Sequence, residues 1–136
     1  MKTILVAAGV LFEGGKVLVT QRKAGTHLAG AWEFPGGKVE EGEDPRQALE
    51  RELHEELGVS AEAGEILDVS FHRYPEKAVL LLFFEATLRE GSPEPRPLDI
   101  AALRWAGPDE LDERDFPPAD LAILRKVKLR LRHAMA

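Results

Sequence analysis

Apolar positions repeat along this chain with two different periods. Residues 3–12 (TILVAAGVLF) and 16–21 (KVLVTQ) are β-branched and apolar, and the Glu13-Gly14-Gly15 break between them predicts a hairpin. Two further strands are predicted at 64–73 and 77–88, the second continuous enough in KAVLLLFFEATL to be central, and a short one near Leu103–Trp105. Between the two sets the period changes. Leu49, Leu53 and Leu57 recur at helical spacing, with Asp44 placed as N-cap, Pro45 at the first helical position and Gly58 just past the end. A second amphipathic helix is predicted from about Ala119, with Leu121, Leu124, Lys128 and Leu131 near helical spacing. The order hairpin, helix, strands, helix predicts an α+β sandwich in which helices pack on a mixed sheet.

Punctuation divides the rest. Residues 23–31 read as a Gly/Ala/His loop, Pro35-Gly36-Gly37 as a tight turn with close backbone approach, and Glu41-Gly42 as another turn. The Pro-rich stretch GSPEPRPLD is an internal loop, since neither side of it makes a complete core. The expectation is one domain, 1–136.

Composition narrows the function classes. The chain has 136 residues, 44% hydrophobic and 31% charged, with a formal net charge of -6, which argues against nonspecific binding to a polyanionic duplex. There is no cysteine, so disulfides and thiolate metal sites are excluded. The apolar start MKTILVAAGVLF runs directly into EGGKVLVTQR and reads as a strand rather than a leader, and no apolar run reaches the roughly 18 residues of a membrane span. A cytoplasmic location is expected. Asn is absent, a bias that returns below at Asp120.

The first helix raises the chemical question. On a helix turning about 100° per residue, Glu56 lies about 40° to one side of Glu52 and Glu55 about 60° to the other, a carboxylate ridge beside the leucine stripe. Like charges repel at this spacing, and Glu55 and Glu56 fall at the C-terminal end, where the helix dipole also disfavours anions. A solvated acidic face is one reading; a bound cation is the other. With oxygen ligands only, that cation is Mg²⁺, with Mn²⁺ able to substitute. His54-Glu55 does not make a zinc-protease helix, because position 58 is Gly.

From Gly37 through Glu43 to Arg51-Glu52-Leu53-His54-Glu55-Glu56-Leu57-Gly58-Val59 the chain resembles the Nudix box at every fixed position, over residues 37–59. The resemblance implies a Nudix-type α/β/α sandwich with a loop–helix–loop motif, and a Mg²⁺-dependent pyrophosphohydrolase acting on nucleoside diphosphates linked to another moiety. It implies Glu52, Glu55, Glu56 and the Gly36 carbonyl as metal ligands, with Arg51 and Glu43 paired to brace the helix. Arg51 also stands at i,i+4 spacing for an ordinary pair with Glu55.

The wider chain is similar to the MutT branch, through Val19-Thr20-Gln21-Arg22, Glu33-Phe34-Pro35-Gly36-Gly37 and Asp115-Phe116-Pro117-Pro118-Ala119. That likeness implies a nucleoside triphosphate substrate, cleaved to a monophosphate and pyrophosphate in nucleotide-pool sanitation and DNA repair: oxidised dGTP first, dCTP or CTP close behind. It places Asp99 opposite a metal-ligating loop Glu, makes Gly37 and Lys38 substrate contacts, and puts Arg22 and Phe34 on one side of the base with Tyr74 and Lys77 on the other. Glu52, Glu55 and Asp99 are all candidates for the general base. Asp120 stands where relatives that act on oxidised guanine carry Asn; an ionised Asp only accepts hydrogen bonds, whereas Asn both accepts and donates. Asp120 reads alternatively as part of the last helix's N-cap, or as a by-product of the chain's avoidance of Asn. Pro75 and Tyr74 are weak signals for ADP-ribose or dinucleoside polyphosphates, and a non-catalytic nucleotide-binding module is a remote alternative. No stable nucleic-acid or membrane partner is expected, and the protein is a monomer or homodimer.

Overall fold

A computed structural model describes residues 1–135, with the backbone alone at Met135. In chain order the elements are β1 (Lys2–Val10), β2 (Phe12–Glu13), β3 (Lys16–Gln21), β4 (Trp32–Glu33), β5 (Gly36–Lys38), α1 (Pro45–Leu57), β6 (Ala61–Arg73), β7 (Lys77–Leu88), β8 (Ala102–Ala106) and α2 (Leu121–Met135). Three single 3-10 turns lie between β8 and α2, the last at Pro118–Asp120.

One sheet has the order β5-β1-β7-β6, with β7 central as its apolar run predicts. It is mixed: β1 and β7 run parallel, and the other pairs are antiparallel. The second sheet is built around β3, which pairs with β8 and with the short β2 and β4, all antiparallel. The expected hairpin is thereby corrected. Only Phe12 and Glu13 pair with β3, while Lys2–Val10 belongs to the other sheet. The apolar run 3–12 looks uniform because β1 and β2 are both part of buried sheets, and the change of sheet near Leu11 leaves no mark in hydrophobicity.

Alternation along the strands separates two cores. Ala7, Leu18 and Phe84 face α1 with Leu49, Leu53 and Leu57, whereas Ala8, Val17, Val19 and Phe83 face α2 with Ile123, Leu124, Val127 and Leu131. The helices therefore cover opposite faces, an α+β fold of α/β/α type. In α2 the buried stripe includes Ile123 and Val127, and Lys128 is only half-buried, so the stripe lies one step from the predicted one.

The ends of α1 follow the sequence. Asp44 accepts from Arg46 N–H (2.8 Å) and Gln47 N–H (3.2 Å), and Gly58, at φ 71°, donates to the His54 carbonyl at 2.9 Å. Each fully buried leucine contributes about 1.5–3 kcal/mol, more than the few tenths of a kcal/mol that a like-charge pair on the helix costs. The leucine stripe thus sets the helix in place and the glutamates follow. Among the described residues no helix is long and apolar enough to cross a membrane.

Candidate active site

A cavity of about 500 Å³ opens on the α2 side of the mixed sheet, with Val6, Val79 and Leu81 among the side chains of its floor. Glu52 and Glu56 of α1 line it with Gly36, Gly37 and Lys38 of β5. Arg22, Phe34, Tyr74, Lys77 and Asp120 line the same cavity. Residues spread over nearly a hundred positions are therefore brought together in one cavity.

The carboxylate end is built by close backbone approach. β5 pairs with β1 at Ala7↔Gly37 and Ala8↔Gly36. A Cβ on Gly36 would lie 2.1 Å from the Ala7 carbonyl oxygen, so no side chain fits there. Arg51 organises the loop–helix junction. Its Nε and Nη2 donate to the two oxygens of Glu43 at 2.8 and 3.0 Å, and Nη2 also reaches the Lys38 carbonyl at 3.1 Å. Its Nη1 donates to Glu52 at 3.0 Å and to Glu55 at 3.3 Å. This pairing holds the Glu43 carboxyl down at about 2. The bracing pair and the i,i+4 pair are thus both present, and two of the three ridge glutamates have a basic partner on the helix itself.

Glu56 has none. Its Oε1 is buried without a hydrogen-bond partner. Burial first, then the charges of Glu52 and Glu33, push its carboxyl up to about 8, against the opposing backbone N–H of Gly36. Burial also raises Glu52, with Arg51 opposing. An orphaned carboxylate oxygen beside a second carboxylate and a glycine backbone is a donor set that fits a hard divalent cation.

Glu55 and Asp99 do not line the cavity. Glu55 is exposed and held by Arg51, and Asp99 is paired to Lys23 at the surface. The loop carrying Asp99 nevertheless grips the end of α1: Arg96 N–H donates to the Leu57 carbonyl (2.9 Å), and Leu98 and Asp99 N–H donate to that of Glu56 (2.9 and 3.3 Å). These bonds satisfy carbonyls at the helix end and set Asp99 at the margin of the ridge. Among the described residues no three carboxylates or imidazoles converge into one cluster that could hold a metal ion. Arg51 draws Glu52 and Glu55 to itself and Lys23 draws Asp99.

The other end is an apolar niche with a few charges. Phe34 is buried between Phe83 and Phe116, ring centroids 6.2 and 6.0 Å away. Asp120 is only 3% exposed, and burial, with Glu33 adding to it and Arg22 opposing, pushes its carboxyl up to about 8. It is the last residue of the 3-10 turn that leads directly into α2, and it lines the cavity. Arg22 donates to both oxygens of Glu33 at 3.1 and 3.2 Å. Burial raises Glu33 against this pairing, and raises Tyr74 together with Asp120 and Glu33.

Glu33, His27, Leu28, Pro117 and Ala119 also line the cavity and were not expected as site residues. Glu33 sits in the Glu33-Phe34-Pro35-Gly36-Gly37 stretch already singled out, next to Phe34. Its partner becomes visible only once Thr20↔Glu33 and Gln21↔Trp32 pair and bring Arg22 alongside.

The NUDIX domain family model matches residues 3–127. The chain is 34% identical over 129 residues to an 8-oxo-dGTP diphosphatase of Escherichia coli strain K12, covering 94% of this chain and 98% of that protein. It is 39% identical over 130 residues to a CTP pyrophosphohydrolase of the same organism, covering 91% of this chain and 90% of the other. A MutT NUDIX hydrolase crystal structure from Burkholderia pseudomallei superimposes with a TM-score of 0.82 at 27% identity, over 93% of this chain and 99% of that one.

Proposed function

This chain belongs to the NUDIX domain family and is a nucleotide pyrophosphohydrolase, and we propose that it cleaves a nucleoside triphosphate to the monophosphate and pyrophosphate. The observation that carries the reading is one cavity with a carboxyl bearing a buried, unpartnered oxygen, Glu56, at one end and a second buried carboxyl, Asp120, at the other.

At the first end Glu52, Glu56 and the Gly36 carbonyl, with Glu55 and Asp99 at the margin, would hold Mg²⁺, or Mn²⁺ in its place. The bound cation supplies charge neutralisation of the pyrophosphate and a more acidic attacking water. Arg51, anchored by Glu43, holds Glu52 by its Oε1 and leaves Oε2 to the cation, and Gly58 ends the helix so that the loop bearing Asp99 can fold beside it. Lys38 offers its ammonium to phosphate oxygens, and Gly37 leaves the backbone free for close approach. Of the general-base candidates Glu52 is the one that lines the cavity.

At the second end Arg22 and Phe34 border the base, with Tyr74 and Lys77 across from them. A protonated Asp120 carries one O–H donor and one carbonyl acceptor. It accepts from N7–H of an 8-oxo purine while donating to O6, as an Asn would, or accepts from the cytosine 4-amino group while donating to N3. Unoxidised guanine presents N7 and O6, both acceptors, so one of the two contacts becomes unfavourable. The relatives' names, an 8-oxo-dGTP diphosphatase and a CTP pyrophosphohydrolase, fall on these two options. Oxidised dGTP is the first candidate, with dCTP and CTP close behind. The enzyme is read as cytoplasmic, as a single domain that is a monomer or homodimer, and as having no nucleic-acid partner.

Steady-state kcat/KM over the canonical NTPs and dNTPs and 8-oxo-dGTP, with ADP-ribose and diadenosine tetraphosphate alongside, decides the reading. A flat profile across bases would sink base selection by Asp120. Faster turnover of either linked dinucleotide would move the substrate class.

A further inference from the structure

The cavity has a second apolar surface that neither the carboxylates nor Asp120 account for. Residues 23–29 arch out from a stem closed by Arg22 N–H to the Ala31 carbonyl (3.0 Å) and Gly30 N–H to the Arg22 carbonyl (3.1 Å). Gly25 and Gly30, at φ 80° and 85°, flank the crown of the arch, and a Cβ on either would meet nothing within 4 Å. These glycines serve the backbone turn, not close packing.

Leu28 lies at the crown and is the sole non-glycine residue with positive φ among the described residues, at 55°. A leucine pays a steric penalty in this left-handed region that Gly or Asn largely escapes. Its side chain lines the cavity yet keeps 37% of its surface exposed, so packing within the protein does not explain why a leucine stands there. Its neighbour His27 also lines the cavity and sets its ring edge-on to Tyr74 at 4.8 Å, which joins the arch to the β6–β7 turn. The His27 carbonyl accepts from Nε of Arg22, the residue that holds Glu33. Ile4, Val6, Val79 and Leu81 line the same cavity and give its floor an apolar surface of its own.

We propose that Leu28 is a nucleotide-binding residue that covers the face of the bound base opposite the Val6–Leu81 floor, and that His27 is a positioning residue that keeps Tyr74 beside it. The inference rests on the nucleotide reading of the cavity. Contact of an apolar side chain with a base face is made equally in the ground state and the transition state, so it appears in KM and not in kcat.

The test uses Leu28→Asn and Leu28→Gly, which both tolerate the left-handed backbone, with two readouts. In steady-state hydrolysis of 8-oxo-dGTP and CTP, KM of the preferred nucleotide rises roughly 5- to 20-fold, the loss expected for an apolar contact of this size, with kcat within about twofold. In metal-free calorimetry with 8-oxo-dGMP and CMP, Kd rises by a similar factor, while Tm stays at or above that of the wild type because the backbone strain is relieved. His27→Ala raises KM, and His27→Phe, which restores an edge-on partner for Tyr74, returns it. An active wild type with KM and Kd unchanged in both Leu28 variants overturns this inference alone. A wild type that neither binds the monophosphates nor cleaves any triphosphate overturns the nucleotide reading and this inference with it.

Discussion

Gly37 lies so close to Glu52 that a Cβ on the glycine would stand 2.4 Å from the Glu52 carboxyl carbon and 2.6 Å from its Oε2. The β5 backbone thus sets how far Glu52 can turn, and Arg51 holds it from the other side at 3.0 Å. In Gly37→Ala the carboxylate must swing away. The protein is expected to fold, with kcat/KM lowered by about 10², the usual cost of misplacing one positioning group. Full activity in a folded Gly37→Ala protein would show that the orientation of Glu52 is immaterial.

Glu56 carries a buried oxygen with no partner and a carboxyl pushed up to about 8, so giving up its proton is costly until a cation arrives. Thermal melts at pH 7.5 are expected to show the wild type gaining stability on adding Mg²⁺ or Mn²⁺ after chelation. Glu56→Gln should melt higher than wild type in the metal-free state, gain much less from metal, and lose about 10²–10³ in kcat. An equal metal-induced rise in wild type and variant would remove Glu56 from the ligand set.

Arg51 reaches Glu43, Glu52, Glu55 and the Lys38 carbonyl at once, which needs the forked guanidinium. Arg51→Lys is therefore expected to lose at least about tenfold in kcat/KM. Its acid stability changes in a defined window. The folded Glu43 carboxyl is lowered to about 2 from an ordinary 4.5, so its contribution is complete above about pH 4.5 and is lost as pH falls toward 2. Urea or thermal unfolding over that window should be flatter in Arg51→Lys than in wild type.

Asp120 has the opposite sign. Its folded carboxyl is raised to about 8 from 3.8, so its stabilising protonation is fully present below pH 3.8 and is lost progressively as pH rises to about 8. Relative to Asp120→Asn, the metal-free wild type should lose thermal stability across that range. Activity follows the same proton. If the neutral carboxyl reads the base, kcat/KM for the preferred nucleotide falls above about pH 8 in wild type and shows no such limb in Asp120→Asn. Parallel pH profiles for the two proteins would exclude Asp120 from base reading.

Part of this protein was legible from short stretches. The helix Pro45–Leu57, its caps at Asp44 and Gly58, and the leucine stripe follow from local periodicity and end chemistry, and the structure places them at the same residues. The central place of β7 was readable for the same reason: an uninterrupted apolar run needs cover on both faces. The exchange of sheets near Leu11 was not readable, because a strand in either sheet needs the same residues. Nor was the extra step of the α2 stripe to Ile123 and Val127, since the helix face is chosen by the sheet it meets.

The candidate site divides along the same line. The carboxylate ridge and the turn glycines beside it follow from the sequence by itself, because they lie within one loop and one helix whose geometry is set by near neighbours, whereas the Arg51 and Glu43 brace was an implication of the Nudix-box resemblance. Only the tertiary structure decided that Glu56 is the buried, unpartnered member of the ridge while Glu55 and Asp99 stand outside paired to cations. It also decided that Asp120 is buried, which pushes its carboxyl up, and that Glu33, His27 and Leu28 share its cavity. Burial and desolvation depend on what the rest of the chain places around a group, and strand pairing between distant segments supplies those neighbours.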